Sequence, residues 1–300
     1  MTRHARQLGL WRGALLVFAL AVATLPITAQ AAVDPPGAER LLQTWRQLLP
    51  RLQSNVYGQP LVITSSETGP QIQGDVFAML DFPLAAVSSS LDRATVWCDI
   101  MILHINTKQC VAKGDMLGVY IGKKTPEALT DGMRIDFAFR HLRKSDTDLQ
   151  VEMNAQRGPW GTSAYRIVLE AVSLPQGQTF LHLTYAYQVN LAGKLAFGVY
   201  LGSVGKDKVG FSTQDAGGAG STQLVGGVRG LVERNTIRYY LAIDAYLRSL
   251  ALAPGLQMEN RLQAWYQQSE RYPRQLHEMD RTTYLEMKRA EIARQRLASE

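Results

Sequence analysis

The chain has 300 residues, 46% of them hydrophobic and 19% charged, with a formal net charge of +6 and two cysteines. Half of that positive excess comes from Arg3, Arg6 and Arg12, and the remaining basic residues are spread along the chain and mixed with acids. The sequence pI near 9.3 is therefore no argument for a nucleic-acid partner, and the length allows one large domain or two small ones.

The three arginines precede an apolar run from Ala14 to Leu25 and then Ala29-Gln30-Ala31, small residues in cleavage positions. That is the pattern of a secretory signal peptide over residues 1–31, and the run falls short of the ~20 residues that cross a membrane. An uncleaved anchor is the alternative. No cysteine stands near the cleavage point and no twin-arginine pair precedes it, so ordinary export to a bacterial periplasm is expected, with Ala32 as the new N-terminus.

Within 32–58, Leu41, Leu42, Trp45, Leu48, Leu49 and Leu52 recur at helical spacing, and Pro50 ends or kinks that helix. Strands are predicted from Leu61 and over "IQGDVFAML". In "DFPLAAVSSSLD" the spacing of Leu84, Val87, Ser88 and Leu91 predicts a short helix, whereas "ATVWCDIMILHI" fits either a second helix or a buried strand. Cys98 and Cys110 are close enough in sequence for one disulfide in an oxidising compartment, worth about 3 kcal/mol if unstrained. Two buried thiols are the alternative. His104, His141, His182 and His277 are scattered, so neither a metal site nor a cofactor is expected.

From 115 onward the period becomes two. Met133, Ile135, Phe137 and Phe139 alternate with polar or small residues; so do Leu149, Val151 and Met153, then Tyr165, Ile167 and Leu169, then Leu181, Leu183, Tyr185 and Tyr187. Turn signals separate these runs, which predicts a curved antiparallel sheet of about six or seven strands with one buried face. "RGPWGT" reads as a tight turn with Trp160 at its tip, either packed or a contact point, and "LGSVGKDK" as a hairpin with two lysines in solvent.

A long amphipathic helix follows, "GGVRGLVERNTIRYYLAIDAYLRSL". Val232, Thr236, Tyr240, Ile243, Leu247 and Leu250 form its stripe, with Asn235, Tyr239 and Tyr246 on one flank. Glu233, Arg234, Arg238, Asp244 and Arg248 take the far side. Residues 254–300 form a charged helical extension with few apolar anchors, expected to be peripheral and to wrap the domain or contact a membrane or protein partner.

The order of strands, short helices, antiparallel sheet and long helix over 59–253 resembles the START/Bet v 1-like (polyketide-cyclase-like, SRPBCC) superfamily. The resemblance lies in "GDVFAMLDFPLAAVSSSL", the alternating strands and the long helix, and it is one of order and pattern. It implies an α+β helix-grip fold, a curved antiparallel sheet gripping the long C-terminal helix, with an N-terminal helix and the extension added. It also implies a cavity between sheet and helix that takes a hydrophobic or amphipathic, lipid-like molecule. Candidate ligand contacts are then Asn235, Tyr239 and Tyr246 on the helix, Tyr185 and Tyr187 on the last strand, and the i, i+4 pair Arg229 and Glu233 at the mouth. Asn235 bonding to the preceding loop, and Arg229–Glu233 tying the helix start to the sheet edge, are the structural alternatives. There is no G-x-S-x-G and no H-E-x-x-H, and no catalytic residue is assigned. An enzyme of the same fold, or an envelope scaffold with a filled core, remain the rival functions.

Overall fold

Strands form where the side-chain period is two, and here they join into one sheet. A computed structural model of the chain describes residues 37–203, 205–215 and 222–297; the expected signal peptide lies outside them. After helix α1 (Gly37–Gln53), strands β1 (Leu61–Thr68) and β2 (Gln71–Leu80) form a hairpin. Helices α2 (Leu84–Leu91) and α3 (Ala94–Met101) come next, which makes the ambiguous run helical. A meander then runs through β3 (Thr107–Lys113), β4 (Met116–Ile121), β5 (Met133–Lys144), β6 (Asp148–Arg157), β7 (Thr162–Ser173) and β8 (Thr179–Val189). The sheet has eight strands in the order β1-β2-β8-β7-β6-β5-β4-β3, more than the six or seven expected, and every pairing is antiparallel.

The alternation sets which residues face inward. Ile135, Phe137 and Phe139 are buried, as are Leu149, Val151 and Met153, while Met133 at the strand start is exposed. The opposite face is not simply solvated. Helix α1 covers part of it, closing a second core of Leu41, Leu52, Val62, Val172, Leu174 and Phe180. The expectation of a single buried face is corrected accordingly.

Helix α4 (Leu191–Gly202) follows β8, then a small hairpin of β9 (Thr213–Asp215) and β10 (Thr222–Leu224). The proposed "LGSVGKDK" hairpin is thus the end of α4 and the turns after it. Lys206 is in solvent, but Lys208 is half-buried and donates to the carbonyl of His277. The long helix is α5 (Gly227–Ser249), laid across β1, β2 and β8 as expected of a helix-grip arrangement. Gly74 of β2 allows the approach: a Cβ there would stand 2.4 Å from Thr236 Oγ1 and 3.3 Å from the Val232 carbonyl.

The far side of α5 is buried too, contrary to its charged composition. Glu233, Arg234, Arg238 and Asp244 are all sequestered. Glu233 lies against Ser65 of β1 and the amides of Phe211 and Ser212. Helices α6 (Pro254–Ser269) and α7 (Pro273–Leu276) pack on α5 near Arg238 and Asp244, and α8 (Arg281–Leu297) packs on α6 and β3. Asp244 Oδ2 accepts from Arg248 Nε at 2.7 Å and from Gln268 Nε2 at 2.8 Å, so the expected i, i+4 pair acquires a third member from the extension. Leu262, Trp265, Leu276, Tyr284, Leu285 and Ile292 of the extension join the main core. Cys98 of α3 and Cys110 of β3 are joined in a disulfide. No helix among the described residues is long and apolar enough to cross a membrane.

Candidate functional site

A cavity of about 540 Å³ opens between α5 and the sheet, within the usual size range for small-molecule sites. It lies where β4 and β8 end and β5 and β7 begin, and alternate residues of β4, β5 and β8 project into it. Val119 and Ile121 come from β4, Ile135 and Phe137 from β5, Tyr165 from β7, and Tyr185 and Tyr187 from β8. The tyrosines form a continuous ring cluster. Tyr185 lies 5.4 Å from Tyr239 of α5, and Tyr165 stacks on Tyr187 at 5.4 Å. Phe137 meets Tyr165 edge-on at 6.1 Å, and Phe197 of α4 meets Tyr187 edge-on at 6.4 Å.

Tyr165 is satisfied through Thr162 Oγ1 at 2.8 Å. The hydroxyls of Tyr185, Tyr187 and Tyr239 have no hydrogen-bond partner among the described residues, although their rings are deeply buried. Burial raises all three phenol pKa values, so the groups are neutral donors at physiological pH.

A polar wall adjoins the tyrosines at Tyr239. It consists of His104 and Asn106 between α3 and β3, Lys123 and Lys124 after β4, and Asn235 and Arg238 on α5. His104 Nδ1 accepts from the Asn106 amide at 3.2 Å, and its ring stacks on Tyr239 at 4.9 Å. Burial, reinforced by the charges of Arg238, Lys288 and Lys124, holds its pKa well below 6.5. The imidazole is therefore neutral with its proton on Nε2, a buried donor that lies beside Asn235 without meeting a partner in hydrogen-bond geometry among the described residues. Arg238 Nη2 donates to Glu278 Oε1 at 2.7 Å and to the Leu276 carbonyl at 3.4 Å, while Nη1 reaches Asn235 Oδ1 at a long 3.5 Å. Lys124 Nζ is also 2.7 Å from Glu278 Oε1. Burial alone would raise the Glu278 pKa; Arg238 and Lys124 outweigh it and hold the carboxyl below its usual range.

Of the residues singled out from sequence, the structure brings Asn235, Tyr239, Tyr185 and Tyr187 together on the cavity surface. Tyr246 sits two turns further along α5, outside the cavity, with the Arg261 guanidinium 4.2 Å over its ring. Arg229 and Glu233 also lie apart from it. Glu233 is fully buried and accepts from Ser65 Oγ at 2.6 Å, Phe211 N at 2.6 Å and Ser212 N at 2.9 Å. Arg229 Nε donates to the same Ser65 Oγ at 3.2 Å, so the two residues meet through β1 and tie the helix start to the sheet edge. His104, Asn106, Arg238 and Tyr165 escaped the sequence reading. Tyr165 alone carried a usable signal, since it shares an alternating face with the strand that pairs with Tyr185 and Tyr187.

Trp160, which lines the cavity, is 52% exposed rather than packed, and Leu191, Leu195 and Val199 of α4, the helix that contributes Phe197 to the lining, are exposed at four-residue spacing. Among the described residues no cluster of histidine, cysteine and carboxylate side chains is placed to hold a metal.

No family model and no curated protein matches the chain. Among solved structures it is similar to a conserved protein from Geobacillus kaustophilus, with 17% identity over 45% of this chain and 85% of that one and a TM-score of 0.30. Human StAR-related lipid transfer protein 5 matches with 10% identity over 51% and 83% and a TM-score of 0.28. A conserved protein of unknown function from Enterococcus faecalis matches with 10% identity over 82% and 97% and a TM-score of 0.30. Scores this low carry no argument about function, so the functional reading stands on the cavity itself.

Proposed function

We propose that this protein binds a hydrophobic or amphipathic small molecule, lipid-like in character, in the cavity under α5, after export to the periplasm. The observation that carries the reading is the set of three phenol hydroxyls, on Tyr185, Tyr187 and Tyr239, left without partners among the described residues inside a 540 Å³ space. In a closed core each such hydroxyl would cost about 1–3 kcal/mol. On a cavity wall the rings supply apolar contact, and the hydroxyls remain available to a ligand or to water. A scaffold would be served better by a filled core. The resemblance of the chain to helix-grip proteins points the same way.

The test is native mass spectrometry of the signal-cleaved protein, followed by solvent extraction, together with uptake of the neutral dye N-phenyl-1-naphthylamine. A stoichiometric apolar adduct or saturable dye uptake is expected, and Ile121→Trp, which fills the cavity from β4, should weaken it at least tenfold. A bare protein mass combined with no dye uptake would refute the reading.

A further inference from the structure

Building on the cavity as a ligand site, we infer that its occupant is a single-chain amphiphile with an anionic head, a carboxylate or phosphate monoester, seated against Arg238 and Asn235. The charged and amide side chains of the lining come from three linked segments, 104–106, 123–124 and 235–238. Asn106 Nδ2 donates to the Gly122 carbonyl, and Lys124 and Arg238 share Glu278, whereas β4, β5, β7 and β8 contribute aliphatic and aromatic side chains and Thr162. A molecule that suits this lining carries its charge at one end, with the phenol hydroxyls left to weaker polar contacts or to water. The volume lies in the range of a drug-sized ligand, which favours one chain over two.

The sign of the head follows from the charges. Every charged residue that lines the cavity, Lys123, Lys124 and Arg238, is a cation, and no aspartate or glutamate lines it among the described residues. The carboxylate that holds Arg238 and Lys124, Glu278, stands behind them and outside the lining. Arg238 is nearly inaccessible to solvent, and its Nη2 is committed to Glu278 and Leu276. Nη1 has only the long contact to Asn235, which leaves it and the Asn235 amide to an incoming acceptor. A carboxylate or phosphate oxygen there would gain charge-assisted bonds in a water-poor site. A cationic head would meet like charges, and a hydroxyl would leave the guanidinium under-used. The same field is felt by the bases around it: Arg238 and Lys124 help to lower the basicity of both His104 and Lys208, after burial as the larger cause.

The experiment displaces N-phenyl-1-naphthylamine from the signal-cleaved protein with four ligands of equal chain length, each below its micelle concentration. They are dodecanoate, dodecyl phosphate, 1-dodecanol and dodecyltrimethylammonium. One of the two anions should displace the dye at a concentration at least tenfold lower than dodecanol, about 1.4 kcal/mol, and the ammonium should be weakest. Dodecanoate ahead identifies a carboxylate head, dodecyl phosphate ahead a phosphate. In Arg238→Met, where Glu278 keeps Lys124 as its partner, the anion-to-alcohol ratio should fall to near one. Asn235→Leu, which leaves the ion pairs in place, should reduce the ratio by about threefold and serves if the Arg238 variant does not fold. Dye uptake with no preference for the anions overturns this inference and leaves the cavity reading intact. Absence of dye uptake by the wild type brings down the cavity reading itself, and this inference with it.

Discussion

Lys288 offers the sharpest test of how the extension is built into the domain. Its ammonium is fully buried on α8 and donates to the carbonyls of His104 and Thr107 and to Glu291 Oε2, each at 2.7 Å. Burial lowers its pKa from 10.5 to about 8; Glu291 opposes the shift, and the neighbouring Lys108 adds to it. Between those two values the unfolded chain holds more protons than the native one, so this residue makes stability rise with pH. Its full cost is present below pH 8 and is relieved as pH climbs toward 10.5. Worked through the linkage relation from about pH 7.5 to about pH 10, the gain is roughly 2 kcal/mol. Denaturant unfolding of wild type and Lys288→Met across that range measures it, and the difference between the two cancels the titration of tyrosines and other lysines. Both cysteines are tied up in the disulfide, so alkaline thiol exchange does not confuse the comparison. Wild type should gain on the variant by about 2 kcal/mol across the range. A difference that stays flat or shrinks would mean that Lys288 is not buried against these carbonyls.

Glu233→Ala strands the Phe211 and Ser212 amides that its carboxylate accepts, and should cost about 3 kcal/mol in urea unfolding; a loss below about 1 kcal/mol would contradict the bonding described. Replacing both Cys98 and Cys110 with serine should cost about 3 kcal/mol by the same assay, the loop-closure value for a link of this length. His182 is held by Asp75 at 2.9 Å and Glu170 at 3.1 Å, and Arg40 of α1 reaches Glu170 at 3.1 Å. Burial opposes its protonation, but the two carboxylates prevail and raise its pKa above 6.5, while both carboxylate pKa values are lowered. The contribution of His182 fades as pH rises through its native pKa, and that of the carboxylates fades as pH drops through theirs. Amide protection of α1 should therefore be greatest between about pH 4.5 and about pH 6.5 and decline on either side; protection that is flat with pH would refute the linkage.

Much of the architecture was legible because it rests on local periodicity. The inward faces of β5 to β8 follow directly from alternation, and the α5 stripe from Val232 to Leu247 follows from helical spacing. What stayed hidden depended on partners distant in sequence. Arg238 and Asp244 look like solvent-facing charges until Glu278 and Gln268 arrive from the extension. Strand β3 escaped because Thr107 to Cys110 is buried throughout, Lys108 included, so no alternation marks it. Helix α4 escaped because Leu191, Leu195 and Val199 are exposed, which breaks the rule that an apolar helical stripe faces a core. The aromatic half of the candidate site was visible as tyrosines on an apolar pattern. The polar half was not, since His104, Lys124 and Arg238 converge only through tertiary packing.

The extension explains how a helix that faces partly empty space keeps its shape. A cavity removes packing partners from one side of α5, and interiors lose contact energy wherever such space is left. Here α6 and α7 pack against the helix, and the extension holds three of the polar residues, Arg238, Lys124 and His104. Trp265 Nε1 donates to the Arg238 carbonyl at 3.0 Å, and Glu278 holds the Arg238 guanidinium. Tyr284 Oη donates to the Leu103 carbonyl at 2.9 Å, and Lys288 donates to that of His104, so the segment leading into β3 is pinned from behind. The aromatic residues need no such bracing, because strand pairing already sets their register: Tyr165 opposite Ala155 of β6, and Tyr185 and Tyr187 opposite Gly74 and Ile72 of β2. The polar wall, drawn from a helix and two loops, has no ladder of its own. Arg238, Lys124 and the His104 backbone take their positions from residues 254–297, which makes the extension a structural part of the candidate site rather than an appendage to it.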